Sequence, residues 1–237
     1  MANFLLIHGS CHGAWCWRDV IPALVNLGHS ATAIDLPSHG ADSTPIKDVT
    51  LDLYARAILG EINRPTIVVG HSAGGYAIAK AADIDPRNIT QLVYLCAYVP
   101  SQNRTMIEMR HAAPYQNLGP DDVIRSPDRL SYHFNPARIG TLLYPDCPTE
   151  AIEYAQENLG EQPIAPQETR PNLGPHFAQV PRHYIRCAND GVIPPEFQTT
   201  MTADWPATDV ETMATGHSPF FAAPDDLANH LSRIAQK

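Results

Sequence analysis

Lysine is scarce in this chain: Lys47, Lys80 and Lys237 are the only three in 237 residues. No stretch gathers Lys or Arg into a stripe that tracks phosphates, and the net charge is −9. Nucleic acid and anionic membrane surfaces are therefore not expected as partners. No apolar run approaches the roughly 18 residues that a membrane-spanning helix needs. The start, "MANFLLIHGS", lacks a basic n-region, a long h-region and an A-x-A-like cleavage site, so a cytoplasmic location is expected. The five cysteines, Cys11, Cys16, Cys96, Cys147 and Cys187, are odd in number and include no CxxC pair. Free thiols fit that pattern better than a disulfide framework.

The rest of the composition describes a chain that folds. Apolar residues make up 44% and charged residues 17%, which is globular rather than disordered. A chain of 237 residues suits one sizeable domain with room for an insertion. Its 22 prolines gather in the middle and later parts, where they predict turns and short elements.

Short apolar runs alternate with helix-like segments. "NFLLIH" reads as a strand, and "WCWRDVIPALVNLG" as a helix that Gly28 is placed to end. "HSATAIDLP" is a second strand. "TLDLYARAILGEI" is a helix with Thr50 as its cap. "PTIVVG" is a third strand, "AGGYAIAKAADI" a helix, and "ITQLVYLCAYVP" contains a fourth strand. "RHYIRCA" and "DVETMA" supply two more, with helices at "PEFQTTMTADW" and "PDDLANHLSRIAQ". Strands apolar on both faces predict an α/β chain with a doubly wound, mainly parallel sheet. Ligands of such sheets sit beyond the C-terminal ends of the strands. The rhythm breaks in a stretch rich in Pro, Asn, Asp, Arg and aromatics. The expected organisation is a core of residues 1–100 and 181–237, with residues 101–180 inserted as a cap over the strand ends.

The chemistry centres on "GHSAGG", Gly70 to Gly75, placed between a strand and a helix. This is G-x-S-x-G in the context that a nucleophile elbow demands. A serine there sits on a tight turn and projects its hydroxyl above the sheet. Ser72 is the candidate nucleophile, and the N–H of Ala73 points where an oxyanion would form. The hydroxyl needs a base, and the base needs an orienting carboxylate. In this arrangement the chain order is Ser, Asp or Glu, then His. Asp190, in "CANDGVIPPEF", and His217, in "ATGHSPFF", each follow a strand and fill those roles. Asp204 and Asp209 are poorer rivals for the carboxylate, as are His176, His183 and His230 for the base. A second oxyanion donor is expected in the loop after the first strand, "HGS", where Gly9 permits a tight backbone and Ser10 offers its N–H.

These pieces resemble the α/β-hydrolase group that contains plant hydroxynitrile lyases, plant methylesterases and related bacterial esterases. The matching stretches are "LLIHGSCHGAWCW", "GHSATAIDLPSHGAD", "VVGHSAGG", "LVYLCAYVP", "NDGVIPPEFQ" and "GHSPFF". The resemblance implies the α/β-hydrolase fold, a six-stranded sheet, a Ser72–His217–Asp190 triad and oxyanion donors at Ser10 and Ala73. It also implies no cofactor. Related proteins are often dimers, so it allows a homodimer. Two departures matter. Gly9 stands where the lyases carry threonine or asparagine, and Ser218 stands where one lyase type carries the lysine that handles cyanide. Both favour hydrolysis of small, mainly apolar carboxylic esters over C–C cleavage. Gly9, Cys11, His71 and Ser218 are expected to border the substrate pocket.

Three other readings compete with this one. His8, His12, His39 and His71 lack a zinc-ligand spacing, so no metal is expected. Cys11 has no helix N-terminus beneath it and no base of its own, which suits a wall residue better than a nucleophile. A ligand-binding receptor on a hydrolase scaffold keeps the same residues and stays open at this level.

Overall fold

The computed structural model describes residues 1–115 and 118–237. The first half runs β1 (Asn3–Ile7), α1 (Val20–Asn26), β2 (Ser30–Ile34), α2 (Leu51–Gly60), β3 (Thr66–His71), α3 (Gly74–Ile84) and β4 (Ile89–Leu95). An inserted stretch follows: α4 (Met106–His111), β5 (Val123–Arg125), β6 (Ser131–Phe134), α5 (Ile139–Leu142), α6 (Thr149–Asn158), β7 (Gln162–Pro163), α7 (Ala165–Glu168) and α8 (Pro175–Gln179). The chain then returns through β8 (Arg182–Cys187), α9 (Pro195–Met201), β9 (Val210–Met213), α10 (Pro219–Ala222) and α11 (Pro224–Ile234).

Six strands form one sheet in the order β2-β1-β3-β4-β8-β9. Every neighbouring pair is parallel. Side chains alternate across it, as period-2 backbone requires. Phe4, Leu6, Val69, Val93 and Ile185 pack on one face with Trp17, Leu24, Leu227 and Leu231 from the flanking helices. Leu5, Ile7, Val68, Leu92 and Tyr184 pack on the other with Tyr54, Ile58, Ala77 and Ile78. Both faces are thus covered, and the site is left to the strand ends.

Two local readings change. The first helix begins at Val20, after a separate 3-10 turn at Ala14–Trp17. Pro22 is the reason: it has no N–H to donate, so it is tolerated only in a first turn. The inserted stretch also holds a three-stranded antiparallel sheet, β5-β6-β7, that its composition did not announce. Its strands are two to four residues long, too short to show alternation. Thr50 caps α2 as its position suggests, accepting from the Leu53 N–H at 3.1 Å. Among the described residues, no helix is long and apolar enough to cross a membrane.

Candidate active site

β3 ends at His71 and α3 begins at Gly74, leaving Ser72 on the corner with φ of +51°. That conformation is costly for a residue with a Cβ, and its neighbours hold it there. The Ser72 N–H donates to the Leu95 carbonyl, and its own carbonyl accepts from the N–H groups of Gly75 and Tyr98. The corner is also crowded. A Cβ on Gly75 would lie 2.3 Å from the Tyr98 carbonyl oxygen, so only glycine fits.

Asp190 and His217 reach the same corner from the ends of β8 and β9. His217 Nε2 lies 3.0 Å from Ser72 Oγ, and its Nδ1 lies 2.8 Å from Asp190 Oδ2. A buried carboxylate only accepts, so Nδ1 carries the proton and Nε2 is left bare to accept the serine hydroxyl. Asp190 is itself fully engaged. Its Oδ1 accepts from the N–H groups of Val192 and Ile193, and its Oδ2 also accepts from Gln198 Nε2 at 2.9 Å. The His217 carbonyl is pinned from below by His71 Nε2–H at 2.8 Å and by the Cys96 thiol. The rival residues stand elsewhere: Asp209 lies beside His183, His230 binds Glu211, and His176 meets the Asp83 carbonyl.

The loop after β1 lies hard against this corner. A Cβ on Gly9 would sit 2.8 Å from both Ser72 Cβ and His71 Nδ1. Its peptide orientation follows from His8. The Leu36 N–H donates to His8 Nε2, so Nδ1 carries the ring proton and donates it to the Gly9 carbonyl at 2.8 Å. The N–H and C=O of one trans peptide point opposite ways. Fixing the Gly9 carbonyl therefore aims the Ser10 N–H away from His8. Neither that N–H nor the Ala73 N–H is taken by a backbone carbonyl among the described residues. His12 braces the next peptide, donating from Nδ1 to the Ser10 carbonyl and accepting from the Tyr144 hydroxyl at 2.7 Å.

A cleft opens over Ser72 and His217. His71 and Ser10 line it, together with Tyr98, Met106, Phe134, Leu143 and Val192. Three of the residues expected at its border do not line it. Cys11 has φ of +63°, which turns its thiol back toward the Tyr132 carbonyl. Ser218 is fully buried behind His217. Gly9 borders a smaller neighbouring cavity with Leu36, Tyr54 and Gln162. Two glutamines of the inserted stretch had no signal in the sequence. Gln162 Oε1 accepts from the Cys11 N–H, and Gln167 Nε2 donates to Ser10 Oγ at 2.9 Å. His71, Cys96 and His217 bring donor atoms within 4.8 Å of one another. Both ring nitrogens of His217 are already committed to Asp190 and Ser72, so the cluster reads as hydrogen bonding around the histidine.

His8, His12, His39 and His71 are all buried beneath the site. Burial is the main cause that holds each ring below its ordinary pKa, that of His12 at about 4. Unfolded histidine takes up its proton near pH 6.5. The unfolded chain thus binds more protons than the folded one between about pH 6.5 and 4, and stability falls as pH drops through that window. His12 alone is worth about 3 kcal/mol there. The urea midpoint is expected to fall steeply between pH 7 and 4.5. A flat midpoint across that range would show that the rings protonate without opening the structure.

A parallel sheet with a serine on a strand–helix corner and Asp and His beyond later strands defines an α/β-hydrolase architecture. The sequence pattern of the alpha/beta hydrolase family matches residues 4–230, and the chain belongs to that family. It is 31% identical to methylesterase 7 of Arabidopsis thaliana over 251 residues, covering 99% of this chain and 96% of that one. It is 32% identical to methylesterase 2 of the same plant over 253 residues, covering 98% and 95%. Among solved structures, a pyrethroid hydrolase from Sphingobium faniae JZ-2 superposes with a TM-score of 0.86 at 25% identity, over 99% of this chain and 97% of that one.

Proposed function

We propose that the protein is a carboxylic ester hydrolase that works through an acyl-enzyme on Ser72. The observation that carries this reading is the hydrogen-bond chain Ser72–His217–Asp190, at 3.0 and 2.8 Å. His217 removes the Ser72 proton as Oγ attacks the ester carbonyl. The N–H groups of Ser10 and Ala73 hold the oxyanion, each worth roughly 3 kcal/mol of barrier. The tetrahedral intermediate collapses as His217 gives its proton to the leaving alcohol. Water, activated by the same ring, then attacks the acyl carbon and frees the acid. The methylesterase relatives support an ester as substrate, and the apolar side chains of the cleft favour a small, mainly apolar one. In this reading the 101–180 stretch is the cap that bounds the acyl and alcohol groups.

The test is a turnover panel on wild type and Ser72→Ala: short-chain p-nitrophenyl esters, methyl esters of aromatic acids and an aromatic cyanohydrin. Ester turnover by wild type alone is the expected pattern. Cyanide release without ester cleavage would replace hydrolysis with lyase chemistry, and tight ligand retention without turnover would replace it with a receptor.

Gly9 gives a second handle. Threonine there must push on Ser72 and His71, and so displaces the Ser10 N–H. Gly9→Thr is expected to lower kcat for p-nitrophenyl acetate by about 100-fold or more, the usual cost of one oxyanion donor. It should not gain cyanohydrin cleavage, because Ser218 brings no cation. An unchanged kcat would remove the β1 loop from the oxyanion site.

A further inference from the structure

We infer that Asp146, from the inserted stretch, is a positioning residue for His217. The inference rests on the esterase reading and adds to it a residue outside the triad.

His217 must meet Ser72 at 3.0 Å and Asp190 at 2.8 Å, yet it stands outside any helix or strand. β9 ends at Met213 and α10 begins at Pro219, so the loop between them has no ladder of its own. The core holds one side of it. Asn189, the neighbour of Asp190, donates its N–H to the Thr215 carbonyl at 3.0 Å and its Nδ2–H to the Ala214 carbonyl at 3.2 Å. The inserted stretch holds the other side. The Gly216 N–H donates to Asp146 Oδ2 at 2.6 Å, and no backbone carbonyl takes it among the described residues. The Thr215 carbonyl and the Gly216 N–H belong to one trans peptide and point opposite ways. That plane is therefore clamped between Asn189 and Asp146. Without Asp146 it can turn about its own axis, and the movement passes through the Gly216 backbone to the His217 ring.

The turn that carries Asp146 lies between α5 and α6 and is itself anchored. Tyr144 is fully buried, and its hydroxyl donates to His12 Nε2. Pro145 fixes its own φ. Burial pushes the Cys147 thiol up to about 12, so it stays protonated and donates to the Ser218 carbonyl at 3.6 Å. Gly216 and Ser218, the residues on either side of His217, are thus both tied to this turn. An acceptor on an anchored turn is already in place when the loop meets it, and a carboxylate makes the bond charge-assisted. The chemical consequence is specific. Methoxide needs the proton of His217 to leave, whereas p-nitrophenolate departs without one. A misplaced ring therefore harms methyl esters more than p-nitrophenyl esters.

The experiment measures kcat/KM for methyl butanoate and p-nitrophenyl butanoate. The two share one acyl group, so the methyl-to-p-nitrophenyl ratio reports how well His217 delivers its proton during acylation. Partial unfolding lowers both values equally and leaves the ratio alone. In Asp146→Ala the ratio is expected to fall by about tenfold or more, since a shift of about 1 Å at a catalytic group can cost about 100-fold. Asp146→Asn keeps an oxygen acceptor in the same place, and its ratio should stay within about threefold of wild type. Asp146→Glu keeps the charge but carries the acceptor one carbon further, so its ratio should fall as alanine's does. It decides the matter if alanine leaves no folded enzyme. An unchanged ratio in whichever of these two folds, or an asparagine ratio as low as theirs, overturns the inference and leaves the esterase reading standing. If wild type is inert toward both esters, the esterase reading itself fails.

Discussion

Replacing Ser72 by alanine is expected to cut kcat for ester hydrolysis by about 10⁶-fold, the scale seen when a triad nucleophile is lost. The reasons are local. Ser72 Oγ makes a hydrogen bond to His217, and the other groups that hold the corner are backbone atoms. Alanine keeps the Cβ, so the strained φ of +51° is neither worsened nor relieved. The carbonyl of residue 72 still accepts from Gly75 and Tyr98, and its N–H still donates to Leu95. The melting temperature should therefore move little. A residual rate of 10³- to 10⁴-fold over water is expected, because oxyanion donors and binding remain. Circular dichroism and turnover on one preparation separate the outcomes. Full activity in a folded variant would place the nucleophile elsewhere. Lost activity with a lost fold would be uninformative from alanine alone, and Ser72→Cys then serves as a second variant. A thiol in the same place should form the acyl-enzyme and allow its capture by mass spectrometry.

The corner was legible because its constraint is local. A serine at positive φ between a strand and a helix needs small neighbours within a few residues, and "GHSAGG" displays them. Asp190 and His217 were legible for a different reason. Parallel topology puts every strand's C-terminal end on one edge, so a residue just past a strand is already near the site. What stayed hidden depends on contacts between distant segments. Gln198 holds Asp190 Oδ2, yet nothing in "PEFQTT" distinguishes it from any helical glutamine. Gln162 and Gln167 reach the "HGSC" loop from more than 150 residues away. Cys11 looked like a wall residue from its place in that loop. A single left-handed residue turned it away, and sequence carries no mark of that in a non-glycine. The prominence of Gly9 took on a steric meaning: the loop must press within contact of Ser72, and any Cβ obstructs it.

In Asp190→Asn, the hydrogen-bond network dictates how the amide must sit. Asp190 Oδ1 accepts from two backbone N–H groups, those of Val192 and Ile193, at 2.7 and 2.9 Å. An asparagine that turned its NH₂ toward them would leave two buried donors facing a donor, so its oxygen must take that side. The NH₂ then faces His217 Nδ1 and Gln198 Nε2. Gln198 cannot turn over to help, because its Oε1 already accepts from the Cys187 N–H and its Nε2 donates to the Ile193 carbonyl. The NH₂ donates to His217 Nδ1 instead, which moves the ring proton to Nε2. A protonated Nε2 cannot take the proton of Ser72. The expected loss in kcat is about 10⁴-fold, the size known for a base held in the wrong tautomer. KM should change far less, since no substrate contact is removed. The donor–donor contact with Gln198 should also lower stability by about 1–3 kcal/mol. A kcat within tenfold of wild type would mean that His217 keeps its working tautomer without Asp190, and the carboxylate would lose its place in the mechanism. A large fall in kcat with an unchanged KM would tie the orientation of one imidazole to the Val192 and Ile193 backbone, through the carboxylate that both hold.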